Sequence, residues 1–187
     1  LEVRMAVKIV RVLNTNAVVS SDQEGRELII TGAGIGFKKK KGENLDEALA
    51  DKTYYLESVD DSRRLQEVVK EISEEYLEIV SRIVKTAREE GLKVRDSLYV
   101  TLTDHINSAV DRYRENIALK NMMKLEIRKF YPKEYEIGLR AVQWIQEQND
   151  ENLGEDEAAF IAMHIVSAEL GSGSNVDVNK ITKLINA

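Results

Sequence analysis

The sequence predicts a chain of two parts, β then α: a small four-stranded antiparallel sheet followed by an all-helical bundle. Two observations carry this. As far as about residue 56, short β-branched runs alternate with turn-forming residues, and beyond the next polar joint apolar residues recur at helical steps. Charge divides the same way. Residues 1–56 hold 9 Lys and Arg against 8 Asp and Glu, for +1, and residues 57–187 hold 18 against 25, for −7. A length of 187 residues admits one large or two small domains.

Leu1 to Arg4 precede a methionine and read as a tag remnant, with Met5 the native start. Val7-Lys8-Ile9-Val10-Arg11-Val12-Leu13 is a strand candidate, broken by the turn former Asn14-Thr15-Asn16 and resumed by Ala17-Val18-Val19-Ser20. Asp22 to Gly25 make a second turn, and Arg26 to Thr31 a third strand. Then comes Gly32-Ala33-Gly34-Ile35-Gly36-Phe37, followed by Lys38 to Lys41, with Thr53 to Leu56 closing the meander. A sheet this small buries little apolar surface, so it is expected to dimerise or to lean on the rest of the chain.

Glu57 to Ser62 is a short polar joint, and residues 58–64 read as the linker. Leu65, Val68, Val69, Ile72, Tyr76, Ile79, Val80, Ile83 and Val84 then form the stripe of one long amphipathic helix ending near Gly91. Asp96 or Ser97 caps a second helix, and Met122 to Phe130 is a third. Pro132, the only proline, breaks or starts an element, and Ile137 to Gln146 and Glu155 to Leu170 complete the bundle. The acidic residues opening the last helix suit its dipole. Gly171 to Asn175 is linker-like, and Val176 to Ala187 is too short for another domain. The expected division is therefore 5–57, a joint at 58–64, a helical domain at 65–171 and a connecting tail at 172–187.

The glycine loop carries the chemistry of the first part. Three glycines permit a tight turn and close approach by another molecule. Phe37 offers a ring for an unpaired base, and Lys38 and Lys39 offer charge to phosphate. Arg11 is a further cation, and Asn14 and Asn16 carry amides suited to base edges or ribose hydroxyls. Each has a plainer reading: a solvated lysine run, turn chemistry for the asparagines, core or dimer packing for Phe37. The acidic second part is a poor ligand for phosphate, which confines nucleic-acid binding to the first. With no cysteine, disulfides and Cys-zinc sites are excluded. No apolar run approaches membrane-spanning length and no signal peptide is visible, so a cytoplasmic protein without membrane insertion is expected.

The only two histidines lie at the margins of apolar helical stripes, His105 in Leu102-Thr103-Asp104-His105-Ile106 and His164 in Phe160-Ile161-Ala162-Met163-His164-Ile165. A hydrogen-bonded structural histidine is the plain reading of each. No HExxH or Cys/His spacing supports a metal site, and no serine nucleophile motif accompanies them. No cofactor, no catalytic residue and no enzyme is therefore expected.

Lys8-Ile9-Val10-Arg11-Val12-Leu13-Asn14-Thr15-Asn16-Ala17 and the Gly32 to Phe37 loop with its lysines resemble the co-antiterminator RNA-binding domain that opens the BglG/SacY-type bacterial transcriptional antiterminators. The resemblance covers residues 7 to 56. It implies a homodimeric four-stranded sheet that binds an RNA hairpin in the leader of a sugar-utilisation operon and so prevents the terminator from forming. The residues implied in RNA binding are Arg11, Asn14, Asn16, Gly32, Ala33, Phe37, Lys38 and Lys39. The segments around His105 and His164 resemble the two histidine motifs of a phosphotransferase-system regulation domain. That implies phosphorylation of both histidines by components of the sugar phosphotransferase system. The chain departs from the family in carrying one regulation domain where full-length members carry two, which reads as a fragment. It also has Ala33 where some members have a basic residue. A DNA- or protein-binding module is the alternative reading, and a histidine-dependent enzyme the third.

Overall fold

A computed structural model describes residues 7–169. The expected tag remnant, Met5 and the tail beyond Leu170 lie outside the described residues. The chain divides after Glu74 into two compact units.

In the first unit, β1 (Ile9–Asn14), β2 (Ala17–Ser21), β3 (Glu27–Thr31) and β4 (Lys52–Tyr54) form one antiparallel sheet in sequential order. The three opening strands and their turns agree with the sequence reading; the closing strand is shorter than Thr53 to Leu56 suggested. Two irregularities interrupt the pairing of β1 with β2, between Ile9 and Arg11 and between Val12 and Asn14. Because side chains alternate across a pleat, the sheet has two apolar faces. One is packed by Ile9, Val18, Ile30 and Ile35, with Val12, Leu28 and Leu45 at its edge, so the glycine loop and the segment beyond it fold back over it.

Arg11 pairs with Val19, Val19 with Ile29, and Glu27 with Ser21, which places these residues on the opposite face. There lies α1 (Val59–Glu71), with Leu65 and Val69 buried. Ser58 caps it by accepting from the Asp61 amide at 3.2 Å, and Asp60 and Asp61 favour its first turn. Residues 58–64 are therefore the cap and opening turns of a helix belonging to the sheet, where the sequence suggested a linker.

The expected long helix from Leu65 to Gly91 is two helices. Ile72 ends α1 in an extended conformation, φ −109° and ψ 142°, and α2 (Glu74–Glu89) begins two residues later. The apolar phase runs unbroken from Ile72 to Tyr76, so periodicity alone gives no sign of the interruption. The two stripes pack in different units.

The second unit contains most of α2 together with α3 (Ser97–Arg114), α4 (Lys124–Phe130), α5 (Pro132–Asn149) and α6 (Glu155–Glu169). Asp96 stands at the N-cap of α3 but makes no capping bond; its carboxylate meets Arg88 at 2.8 Å. Pro132 starts α5, where its missing N–H costs nothing. The pair α5–α6 packs with its backbones in near contact: a Cβ on Gly138 would sit 2.2 Å from the Ala158 carbonyl oxygen. Among the described residues, no helix is long and apolar enough to cross a membrane.

Gly138→Ala is expected to lower stability by roughly 1–3 kcal/mol, because two helix backbones would have to separate. Urea unfolding followed by circular dichroism measures this, and an unchanged midpoint would contradict the packing.

Candidate nucleic-acid interface and paired histidines

The β1–β2 turn and the glycine loop are tied together through backbone and amide groups. The Asn14 Oδ1 accepts from the Asn16 amide at 2.7 Å, and the Asn16 Oδ1 accepts from the Gly34 amide at 2.9 Å. The Gly32 amide donates to the Asn16 carbonyl and the Gly36 amide to the Thr15 carbonyl. The glycines have separate reasons. Gly34 takes φ +75°, while a Cβ on Gly32 would meet the Leu49 carbonyl oxygen at 1.8 Å and one on Gly36 the Asn14 oxygen at 2.1 Å. The close approach at Gly32 and Gly36 is thus made by the chain's own backbone.

Phe37 is 59% exposed, with the Lys38 ammonium 5.4 Å from its ring centroid, and Ala33 is also exposed. Core packing within the chain does not account for Phe37. Lys38 itself holds a positive φ of 52°, unusual for a residue with a side chain. Lys39 is half-buried. Arg11 is engaged elsewhere. Its guanidinium donates to Glu27 at 2.8 Å and to the Gln66 side-chain oxygen at 2.5 Å. Arg11 first, and then Gln66, hold the Glu27 carboxyl down to about 2. Asn14 Nδ2 donates to the Val69 carbonyl at 2.8 Å, and Asn16 Nδ2 to Glu74 at 3.0 Å. The eight residues singled out by sequence therefore separate into an exposed tip bearing Ala33, Phe37 and Lys38, a half-buried Lys39, and Arg11, Asn14, Asn16 and Gly32, whose polar atoms meet the chain itself. Sequence reasoning did not find Glu27, Gln66 or Glu74, because nothing in their spacing relates them to residues 11–16.

In the second unit, α3 and α6 bring the two histidines together, with ring centroids 4.7 Å apart. His105 Nε2 lies 2.9 Å from Glu157 Oε2, and the other carboxylate oxygen accepts from Arg112 at 3.0 Å. Phe160 borders the His105 ring at 6.0 Å between centroids. Burial pushes the Glu157 carboxyl up, but the hydrogen bonds and charges of His105 and Arg112 outweigh it and leave it below its usual range. Burial first, then the neighbouring His105, pushes the His164 imidazole down to about 4, against an opposing pull from Glu157. The site thus pairs a neutral His164 with a carboxylate-bound His105. The sequence offered Glu157 as a helix-dipole residue and as the first residue of the segment that resembles the second histidine motif, without a role of its own; its spacing of seven residues before His164, two turns on one face, was the available signal.

A meander sheet with this loop, followed by a helical unit holding two facing histidines, defines a regulatory class. The chain belongs to the PRD domain family, which matches residues 66–168, and residues 7–63 match the CAT RNA binding domain. The boundary between the two matches falls inside α1, whereas compact packing divides the chain after Glu74. Among relatives, the β-glucoside operon antiterminator of Dickeya chrysanthemi is 37% identical over 96% of this chain and 63% of its own length. The transcription antiterminator LicT of Bacillus subtilis is 37% identical over 96% of this chain and 65% of its own. The crystal structure of GlcT CAT-PRDI superposes with a TM-score of 0.70 at 27% identity, covering 88% of this chain and 99% of that one. The chain spans less than two thirds of the length of these two antiterminators.

Because the fold holds His164 neutral, with its proton affinity at about 4 against the usual 6.5, the unfolded chain takes up this proton first as pH falls. The stabilisation is complete above about 6.5 and is lost between there and about 4. Denaturation midpoints at pH 7 and pH 4.5 should therefore differ more for the wild type than for His164→Gln. Equal pH sensitivity in both would refute this.

Proposed function

We propose that this chain is the RNA-binding and first regulatory portion of a transcription antiterminator, a regulator and not an enzyme. In this reading the sheet unit, as a homodimer, binds a hairpin in the leader RNA of a sugar-utilisation operon and keeps the overlapping terminator from forming. The observation that carries the reading is the exposed Phe37 ring beside Lys38, on a loop anchored to the Asn14–Asn16 turn. A ring and a cation held in the open on a fixed backbone suit an unstacked base and its phosphate. The names of the relatives support it.

The paired histidines accept phosphoryl groups from phosphohistidine donors of the sugar phosphotransferase system. A ring nitrogen of the acceptor attacks phosphorus and the bond from phosphorus to the donor imidazole breaks; the acceptor ring gives up the proton on its other nitrogen and the donor takes up one, leaving as neutral imidazole. Where Glu157 accepts from the His105 Nε2–H, Nδ1 is the lone-pair nitrogen that attacks. The product adds about −1.5 to −2 charges beside the buried Glu157 carboxylate. Screening over about 10 Å of salt solution keeps that charge from acting on RNA directly, so it acts by changing how regulatory domains pack.

An RNA hairpin selected on the wild-type chain from a pool with a randomised internal loop should bind far better than a scrambled control or duplex DNA. Phe37→Ala should weaken it by roughly 5- to 150-fold, the range expected for one stacked base. Lys38→Ala should weaken all RNAs alike and lower the salt slope by about one. Equal binding of duplex DNA would favour the DNA-binding alternative.

His105→Asp, which places a fixed negative charge at the same position, should lower hairpin affinity by changing dimer geometry. Affinity and solution scattering measured together check it. A single-chain mass at micromolar concentration, or no change in either measurement, would count against the switch.

A further inference from the structure

The Asn14 and Asn16 side chains have their oxygens committed to the turn, one to the Asn16 amide and the other to the Gly34 amide. Their remaining capacity to read a base edge lies in the Nδ2 groups. Both of these are directed at the end of α1 and the residues after it: Asn14 Nδ2 to the Val69 carbonyl, Asn16 Nδ2 to Glu74. The Val69 carbonyl lies in the last turn of α1, where helix carbonyls look outside the helix for partners, and Asn14 supplies it one. Gln66, buried on the same helix, joins Arg11 to Glu27 by accepting from the first at 2.5 Å and donating to the second at 2.7 Å. A carbonyl and an anionic oxygen, the kinds of acceptor that RNA offers in its bases and phosphates, thus already engage one N–H of each Asn side chain in the β1–β2 turn.

We propose that the last turn of α1 together with Glu74 is an intrachain competitor for RNA, occupying the Asn14 and Asn16 donors until a hairpin displaces it. The inference rests on the reading that this turn meets RNA and adds how access to it is controlled. The Glu74 carboxylate fills the position in front of one Asn16 N–H, so neither a phosphate nor a base carbonyl can take that place while it is there, and a phosphate is repelled by its charge as well. The apparent affinity of the whole chain is then the intrinsic affinity reduced by the fraction of molecules in which α1 has let go. Whatever loosens the end of α1 raises affinity without touching the RNA.

The test uses the whole chain and the hairpin selected as above. Glu74→Ala and Gln66→Ala should each bind it more tightly, by about three- to tenfold. Gln66 is buried and its removal can cost the fold; Glu74 is only partly buried, so Glu74→Ala keeps the comparison available. Hydrogen exchange supplies the second readout. The amides in the last turn of α1 should be protected in the free chain and lose protection when RNA binds. A hairpin that binds with α1 equally protected, or a Glu74→Ala chain that binds no more tightly, overturns the competition. Binding that still depends on Asn16 in such an experiment would leave the reading of the site standing. A wild type that selects no hairpin, or an Asn16→Ala chain that binds as wild type does, removes that reading and this inference with it.

Discussion

A four-stranded sheet of short strands has two faces to keep from water, and the first unit is arranged around that demand. Its own long loop covers one face through Ile35 and Leu45. The other carries Val19 and Ile29 together with the charged pair Arg11 and Glu27, and α1 covers it. A helix laid there has to meet both chemistries. Leu65 and Val69 answer the apolar part, and Gln66, with a donor and an acceptor on one amide, answers both members of the ion pair. Once α1 is in that position, its last turn falls beside Asn14 and Asn16, so covering the sheet and occupying the amides of the turn are one event.

The glycine loop obeys the same shortage of space. It must cross over Asn14 and pass Leu49 at distances no Cβ tolerates, and this explains Gly32 and Gly36 by packing alone. What projects from the loop is then free of folding duties: Phe37 and Ala33 stand exposed, and Lys38 lies against the Phe37 ring. Exposure alone does not single out Phe37, since Phe130 and Met122 are more exposed; its place on the anchored loop beside Lys38 does.

In the helical unit the organising group is Glu157. A carboxylate that is 7% exposed needs partners, and it has two, a histidine from one side and an arginine from the other. Arg112 sits seven residues beyond His105 on α3, so one helix presents both partners on the same face, while Glu157 and His164 do the same on α6. The facing of the histidines is thus held by a buried charge network, and a change of charge on either ring is felt at once by that network.

Much was legible in the sequence because it is written in local terms. Strand runs, turn formers, apolar periodicity and the lone proline are short-range signals, and the order of the loop and histidine motifs carried the family resemblance. Phe37, Asn16 and both histidines were singled out this way. The interruption at Ile72 was not, since the apolar phase passes through it unchanged. Neither was the assignment of α1 to the sheet, because a stripe of Leu65 and Val69 says that something is covered but not what. Glu27, Gln66 and Glu74 lie 16 to 58 residues from Arg11 and Asn16, the groups of β1 and its turn that they bind, and Glu157 lies 52 from His105. No periodicity links such positions; only packing brings them within hydrogen-bonding distance. The sequence by itself determined which polar, aromatic and histidine side chains the loop, the turn and the two helical segments carry. Tertiary structure decided which of them stand open and which are already engaged, because that depends on what desolvates each polar atom.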